Sequence, residues 1–171
     1  MRNLKTIKCE KGKSSTAWQK IKPTSKVIKN WILAVIASKF QSNTKIWFYK
    51  KIGLKIGKNV QIMPDQRIDI FFPELISVGD NSIIGQDCFF ACHEFNVDEF
   101  KYGPIEIGEN VLIGARCYIL PGIKVGNNSL VGAGAVISKD VPENVIAFGN
   151  PIQFIDKTTK EKILLKSEKK K

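Results

Sequence analysis

Ile107-Gly-Glu-Asn-Val-Leu112, Ile113-Gly-Ala-Arg-Cys-Tyr118 and Ile119-Leu-Pro-Gly-Ile-Lys124 are consecutive hexads. Val125-Gly-Asn-Asn-Ser-Leu130, Val131-Gly-Ala-Gly-Ala-Val136 and Ile137-Ser-Lys-Asp-Val-Pro142 continue them without a slip. Position one is always Ile or Val, position two is usually Gly, and position five is small or β-branched. One strand plus one turn in six residues makes the backbone turn a corner once per repeat. Three corners close a triangular coil of about eighteen residues, and coils stack as parallel strands roughly 4.8 Å apart. The position-one aliphatic fills the interior, position five enters near a corner, and glycine at position two is expected to permit backbone that a Cβ would strain. One coil cannot bury its own apolar face, so the coils must stack. The period therefore predicts an all-β solenoid.

The frame extends upstream through Val78-Gly-Asp-Asn-Ser-Ile, Ile84-Gly-Gln-Asp-Cys-Phe and Phe90-Ala-Cys-His-Glu-Phe. A poorer coil precedes it, built from Ile56-Gly-Lys-Asn-Val-Gln, Ile62-Met-Pro-Asp-Gln-Arg and Ile68-Asp-Ile-Phe-Phe-Pro. About four coils result, with register breaks at Pro73–Ser77 and Asn96–Glu106. A solenoid leaves its period where it grows a loop, and loops are where function concentrates. The second break is the stronger functional candidate.

Three parts are expected: a basic helical capping segment at 1–51, the repeat domain at 52–155, and a short Lys-rich tail at 156–171. The net charge is +11, but residues 1–55 carry 14 basic against 1 acidic residue, whereas residues 56–155 carry 6 against 12. The basicity belongs to the ends. It is compatible with a solvated face or with contact to anionic membrane lipid or CoA-type phosphates. No nucleic-acid motif accompanies it, so no nucleic-acid partner is expected. Residues Ser25–Phe40 read as one helix covering the open end of the first coil, and too short to span a bilayer. A helix lying in the membrane interface is the second reading.

Cys88 and Cys117 fall at position five, and Cys9 and Cys92 lack an obvious partner, so reduced thiols in a cytoplasmic protein are expected. The frame turns Cys88 inward but Cys92 and His93 outward, which argues against a shared zinc ion. A histidine-ligated zinc enzyme of this architecture needs three imidazoles, and the chain contains one histidine. No metal is expected.

The runs Gly103-Pro-Ile-Glu-Ile-Gly-Glu-Asn-Val-Leu-Ile-Gly-Ala, Ile119-Leu-Pro-Gly-Ile-Lys-Val-Gly-Asn-Asn, Val131-Gly-Ala-Gly-Ala-Val-Ile-Ser-Lys-Asp-Val-Pro and Gly149-Asn-Pro resemble the hexapeptide-repeat acyltransferases. The chain is most similar to the branch holding the maltose, galactoside and xenobiotic O-acetyltransferases. That resemblance implies a left-handed parallel β-helix, a homotrimer, and an acetyl-CoA donor lying between neighbouring subunits with a small-molecule acceptor. It also implies a catalytic histidine at the start of a loop leaving the solenoid. His93 matches that position, and an imidazole suits general-base work near neutral pH. Ala115, Ala133, Ser138 and Lys139 match positions that line the CoA arm. Glu94, Asp98 and Glu99 are either solvated loop carboxylates or groups that orient His93 or hold an acceptor. The chain departs from the sugar acetyltransferases in a shorter loop after His93, and in Ile152-Gln-Phe-Ile, which lacks the basic residue often found there. A non-catalytic solenoid binding a partner through its basic ends is the alternative from another functional class.

Overall fold

The computed structural model describes residues 2–40 and 42–157. Strand β1 (Lys5–Lys8), a 3-10 segment at Ser14–Lys20 and two helices, α1 (Thr24–Ser38) and α2 (Ser42–Ile52), precede the repeats. The first turn around the solenoid is β2 (Lys55–Ile56), β3 (Gln61–Ile62) and β4 (Arg67–Ile68), and the second is β5 (Ile76–Val78), β6 (Ile83–Ile84) and β7 (Phe89–Phe90). The chain then leaves the solenoid as a hairpin, β8 (His93–Phe95) and β9 (Glu99–Tyr102). It returns as β10 (Ile105–Ile107), β11 (Leu112–Ile113) and β12 (Tyr118–Ile119), followed by β13 (Lys124–Val125), β14 (Leu130–Val131) and β15 (Val136–Ile137). Strands β16 (Val145–Phe148) and β17 (Gln153–Asp156) close the described chain as an antiparallel pair.

Three parallel ladders form the walls. The first face stacks β2, β5, β10 and β13; the second stacks β3, β6, β11, β14 and β16; the third stacks β4, β7, β12 and β15. Register sets each position-one residue on its like: Ile56 under Val78, Ile107 and Val125 on the first face, and Ile68 under Phe90, Ile119 and Ile137 on the third. These side chains are buried and form the core. Each such aliphatic contributes roughly 1.5–3 kcal/mol by leaving water.

Position five is more than a slot for small side chains. Ser82 Oγ donates to Gly108 O at 2.9 Å and Ser129 Oγ to Pro142 O at 2.6 Å. Cys88 Sγ reaches Gly114 O, and Cys117 Sγ reaches Gly132 O, each at 3.2 Å. A small donor at this place therefore ties one coil to the carbonyl of the next.

Glycine at position two works differently from the expectation. The left-handed backbone sits at position four, at Asn59, Asp65, Asn81, Asp87, Asn110, Arg116 and Asn128, with φ between 54° and 63°. Side-chain amides and carboxylates tolerate that conformation. Position-two glycines are needed for close approach: a Cβ on Gly85 would lie 2.5 Å from Ala115 N, and one on Gly114 would lie 2.5 Å from Ala133 N. At the exit of the third face this demand disappears. Asp69, Ala91, Leu120 and Ser138 occupy position two there, so this edge of the prism has room for side chains.

The N-terminal region holds two helices where the sequence suggested one. Asn30 Nδ2 donates to Ile70 O at 2.9 Å, and Lys45 Nζ donates to Met63 O at 3.1 Å, so both helices bond to carbonyls of the first coil. α2 escaped detection because its inward face includes Lys45, buried beside Tyr49 and Ile52, which breaks the apolar period. No helix among the described residues is long and apolar enough to cross a membrane. The tail beyond residue 157, expected as a basic extension, lies outside the described residues.

Candidate active site

Third-face strand β7 delivers the chain to the open edge, and the hairpin β8–β9 starts there with His93 as its first residue. β1 pairs antiparallel with β9, making a three-stranded sheet, and Arg2 clamps Glu94 through two contacts of 2.8 and 3.3 Å. His93 is thus carried by a sheet pinned at both ends, and a rigid mount holds catalytic geometry better than a free loop. The sequence located the departure from the solenoid but not the strand from the N-terminus that braces it.

His93 Nδ1 lies 2.5 Å from Oδ2 of Asp69, whose side chain is completely shielded from solvent. The other Asp69 contacts are all backbone amides: Phe71 N–H at 2.8 Å and Phe72 N–H at 3.1 Å to Oδ1, and Cys92 N–H at 2.7 Å to Oδ2. A carboxylate oxygen accepts hydrogen bonds, and with three backbone N–H groups already donating to Asp69, Nδ1 is the nitrogen that donates to it. The lone pair then resides on Nε2, the state a general base requires. Aromatic rings surround the imidazole: Phe71 and Phe95 stand edge-on at 4.8 and 4.9 Å, and Phe100 lies at 6.0 Å. Only 17% of the His93 side chain remains exposed. Apolar walls of this kind exclude water and strengthen the polar contacts within.

Asp69 was missed in the sequence, and two of the three loop carboxylates considered there pair with cations instead. Glu94 pairs with Arg2, and Glu99 pairs with Lys101 at 2.7 Å. Cys92 also departs from expectation, because it is fully buried rather than turned outward. The chain leaves the hexad frame after Ala91, so the alternation that assigned Cys92 to the surface no longer applies. Burial, and after it the carboxylates of Asp69 and Glu74, push the Cys92 thiol well above its ordinary range, which leaves it unsuited to act as a nucleophile.

The other candidate positions fall in two places. Ser138 and Lys139 follow β15 on the same edge as His93, two rungs further along, roughly 10 Å at the ladder spacing. Ser138 is half-buried and Lys139 exposed. Ala115 and Ala133 lie at the opposite margin of the third face, in a groove of about 640 Å³ shared with Gln86, Asp87, Arg116 and Gly134. The chain therefore places the alanine groove and the imidazole on different edges of the prism.

Residues 104–139 match the family model described as the hexapeptide repeat of succinyl-transferase. The chain is 40% identical over 135 residues to the Bacillus subtilis (strain 168) protein named "Putative acetyltransferase YvoF", covering 78% of each chain. It is 32% identical over 120 residues to the galactoside O-acetyltransferase of Escherichia coli (strain K12), covering 64% of this chain and 59% of that one. Among solved structures, the hexapeptide-repeat containing acetyltransferase VCA0836 of Vibrio cholerae O1 biovar eltor, complexed with acetyl coenzyme A, superposes with a TM-score of 0.68. That match covers 82% of this chain and 90% of the other at 20% identity, a likeness of fold that implies the left-handed coil.

Proposed function

The chain belongs to the hexapeptide-repeat acetyltransferases, CoA-dependent enzymes, and from that premise we propose that it moves an acetyl group from acetyl-CoA to a hydroxyl of a sugar or other polyhydroxylated small acceptor, with His93 as general base. The observation that carries this reading is the Asp69–His93 pair, a buried carboxylate fixing the tautomer of a largely enclosed imidazole at the mouth of the hairpin that leaves the solenoid.

His93 Nε2 accepts the acceptor's hydroxyl proton as that oxygen attacks the thioester carbonyl carbon. Asp69 stabilises the imidazolium that forms. The tetrahedral intermediate collapses with cleavage of the carbon–sulfur bond, and the imidazolium returns its proton to the departing thiolate. The products are the acetyl ester and free CoA, and His93 ends as it began.

The acyl-CoA arm would run along small residues at Ala115 and Ala133 with Ser138 and Lys139 toward the nucleotide, Lys139 supplying a compact cation for phosphate. These positions occupy two edges of one prism, which favours a homotrimer in which the alanine groove of one subunit faces the His93 edge of the next. The division into a capping segment at 1–51, a catalytic solenoid at 52–155 and a tail at 156–171 belongs to the same proposal. The cap is supported by the α1 and α2 hydrogen bonds to first-coil carbonyls. Four cysteines without a disulfide suit the cytoplasm.

Release of free thiol from acetyl-CoA, followed across a panel of sugars, nucleotide sugars, serine and amines, tests the acceptor class. Acceleration by a polyhydroxylated acceptor is expected. Acceleration by amines alone would contradict O-acetylation.

A further inference from the structure

Helix α1 carries two apolar faces. Val27, Asn30 and Ala37 are buried, and the Asn30–Ile70 hydrogen bond fixes the helix rotation against the first coil. Ile28, Trp31, Ile32, Val35 and Ile36 recur at helical spacing on the other side and are 37–55% exposed. The outward stripe cannot roll inward, because the inward face is already bonded. Near the end of α1, Phe40 stacks on Phe48, and Phe48 meets Trp47, itself 54% exposed, so aromatic surface continues onto α2.

The charges that the two helices themselves carry are all of one sign. Residues 11–64 contain 12 lysines and no acidic residue. Lys26, Lys29 and Lys39 are exposed on or beside α1, Lys50 is exposed on α2, and Lys51 lies over the Trp47 ring at 5.2 Å. Two copies meeting stripe to stripe would oppose lysine to lysine with no carboxylate from either helix pair to neutralise them. A contiguous apolar stripe bearing tryptophan and flanked by lysines matches a surface that is apolar beneath and anionic on top.

We infer that the outward face of α1, together with Trp47, seats the enzyme on anionic phospholipid, with α1 parallel to the membrane plane and its apolar stripe among the acyl-chain ends nearest the headgroups. Lysines at the stripe's margins reach the phosphates, and attraction falls off within a Debye length, so binding weakens as salt rises. The acetyl-transfer reading is not required for this, since no residue of the stripe touches His93 or Asp69 in the contacts described above.

The full chain is sedimented with vesicles of phosphatidylglycerol and phosphatidylcholine, and separately with phosphatidylcholine alone, while tryptophan emission is recorded. Salt-sensitive retention on the anionic vesicles with a blue shift is expected. Ile32→Asp combined with Val35→Asp should lower partitioning by roughly tenfold or more, leaving the melting temperature and thiol release with soluble acceptors unchanged. Lys26→Glu combined with Lys29→Glu should weaken retention on the anionic vesicles alone. If the apolar variant does not fold, quenching of wild-type tryptophan by lipids brominated near the headgroup decides the matter, strong quenching supporting insertion and none contradicting it. Wild-type protein left in the supernatant with every vesicle would overturn the inference. So would equal binding to neutral and anionic vesicles, or a stripe variant that changes oligomer size while vesicle binding is absent, which would make the face a contact between copies.

Discussion

Asp69 has every contact of its carboxylate filled by a donor: three backbone amides and one imidazole. Asn at this place keeps the shape but offers an NH2 where a donor already points, so one contact is lost or the imidazole tautomer inverts. Asp69→Asn is therefore expected to lower kcat by roughly 10²-fold or more while KM for acetyl-CoA changes little, because the buried carboxylate reaches His93 and backbone amides alone among the contacts shown. A kinetic split in which KM rises and kcat is kept would contradict that role. His93 could be singled out as a candidate from sequence because it is the lone histidine and stands where the period fails. Asp69 was not, since its role depends on stacking that brings residue 69 against residues 92 and 93. One sign was present: Asp69 occupies a hexad position where glycine is usual, and a carboxylate there needs both space and donors.

Among the elements, the ladders were readable because period and burial coincide, every position-one residue landing on its like. The helix pair was half-readable. α1 shows its period plainly, whereas α2 buries a cation. Lys45 Nζ donates to Met63 O, but Gln66 Nε2 also donates to that oxygen at 2.9 Å, so the carbonyl keeps a partner if the lysine goes. Burial lowers the Lys45 pKa, partly offset by Asp65. The folded chain then holds this proton less tightly than the unfolded chain does. Stability should accordingly rise with pH between the lowered value and the ordinary lysine value near 10.4. Lys45→Met is expected to stabilise by roughly 1 kcal/mol at neutral pH and to flatten that alkaline rise, as read by chemical denaturation at several pH values. Destabilisation at neutral pH would show that the ammonium pairs better than its surroundings suggest. The antiparallel sheet β1–β9–β8 was the element least visible in the sequence, because β1 is remote from its partner and only Ile7 of its residues is half-buried.

For the whole molecule, the acidic solenoid, the basic helices and the hexad period were all evident in the chain, whereas the separation of candidate residues onto two edges needed coordinates. If Ala115 and Ala133 of one subunit serve His93 of another, inactive variants should complement. Mixed trimers of His93→Ala and Ala133→Trp subunits are expected to recover about a quarter of wild-type activity, the share of random interfaces that pair an intact histidine with an intact groove. No recovery would place both groups in one subunit's site.

The most direct measurement is the turnover of His93→Ala by thiol release, taken together with its thermal stabilisation by acetyl-CoA. A fall in kcat of roughly 10²–10⁴ with cofactor stabilisation preserved is predicted, the usual contribution of a general base. Wild-type turnover in that variant would remove the imidazole from the chemistry and contradict the mechanism proposed for this site.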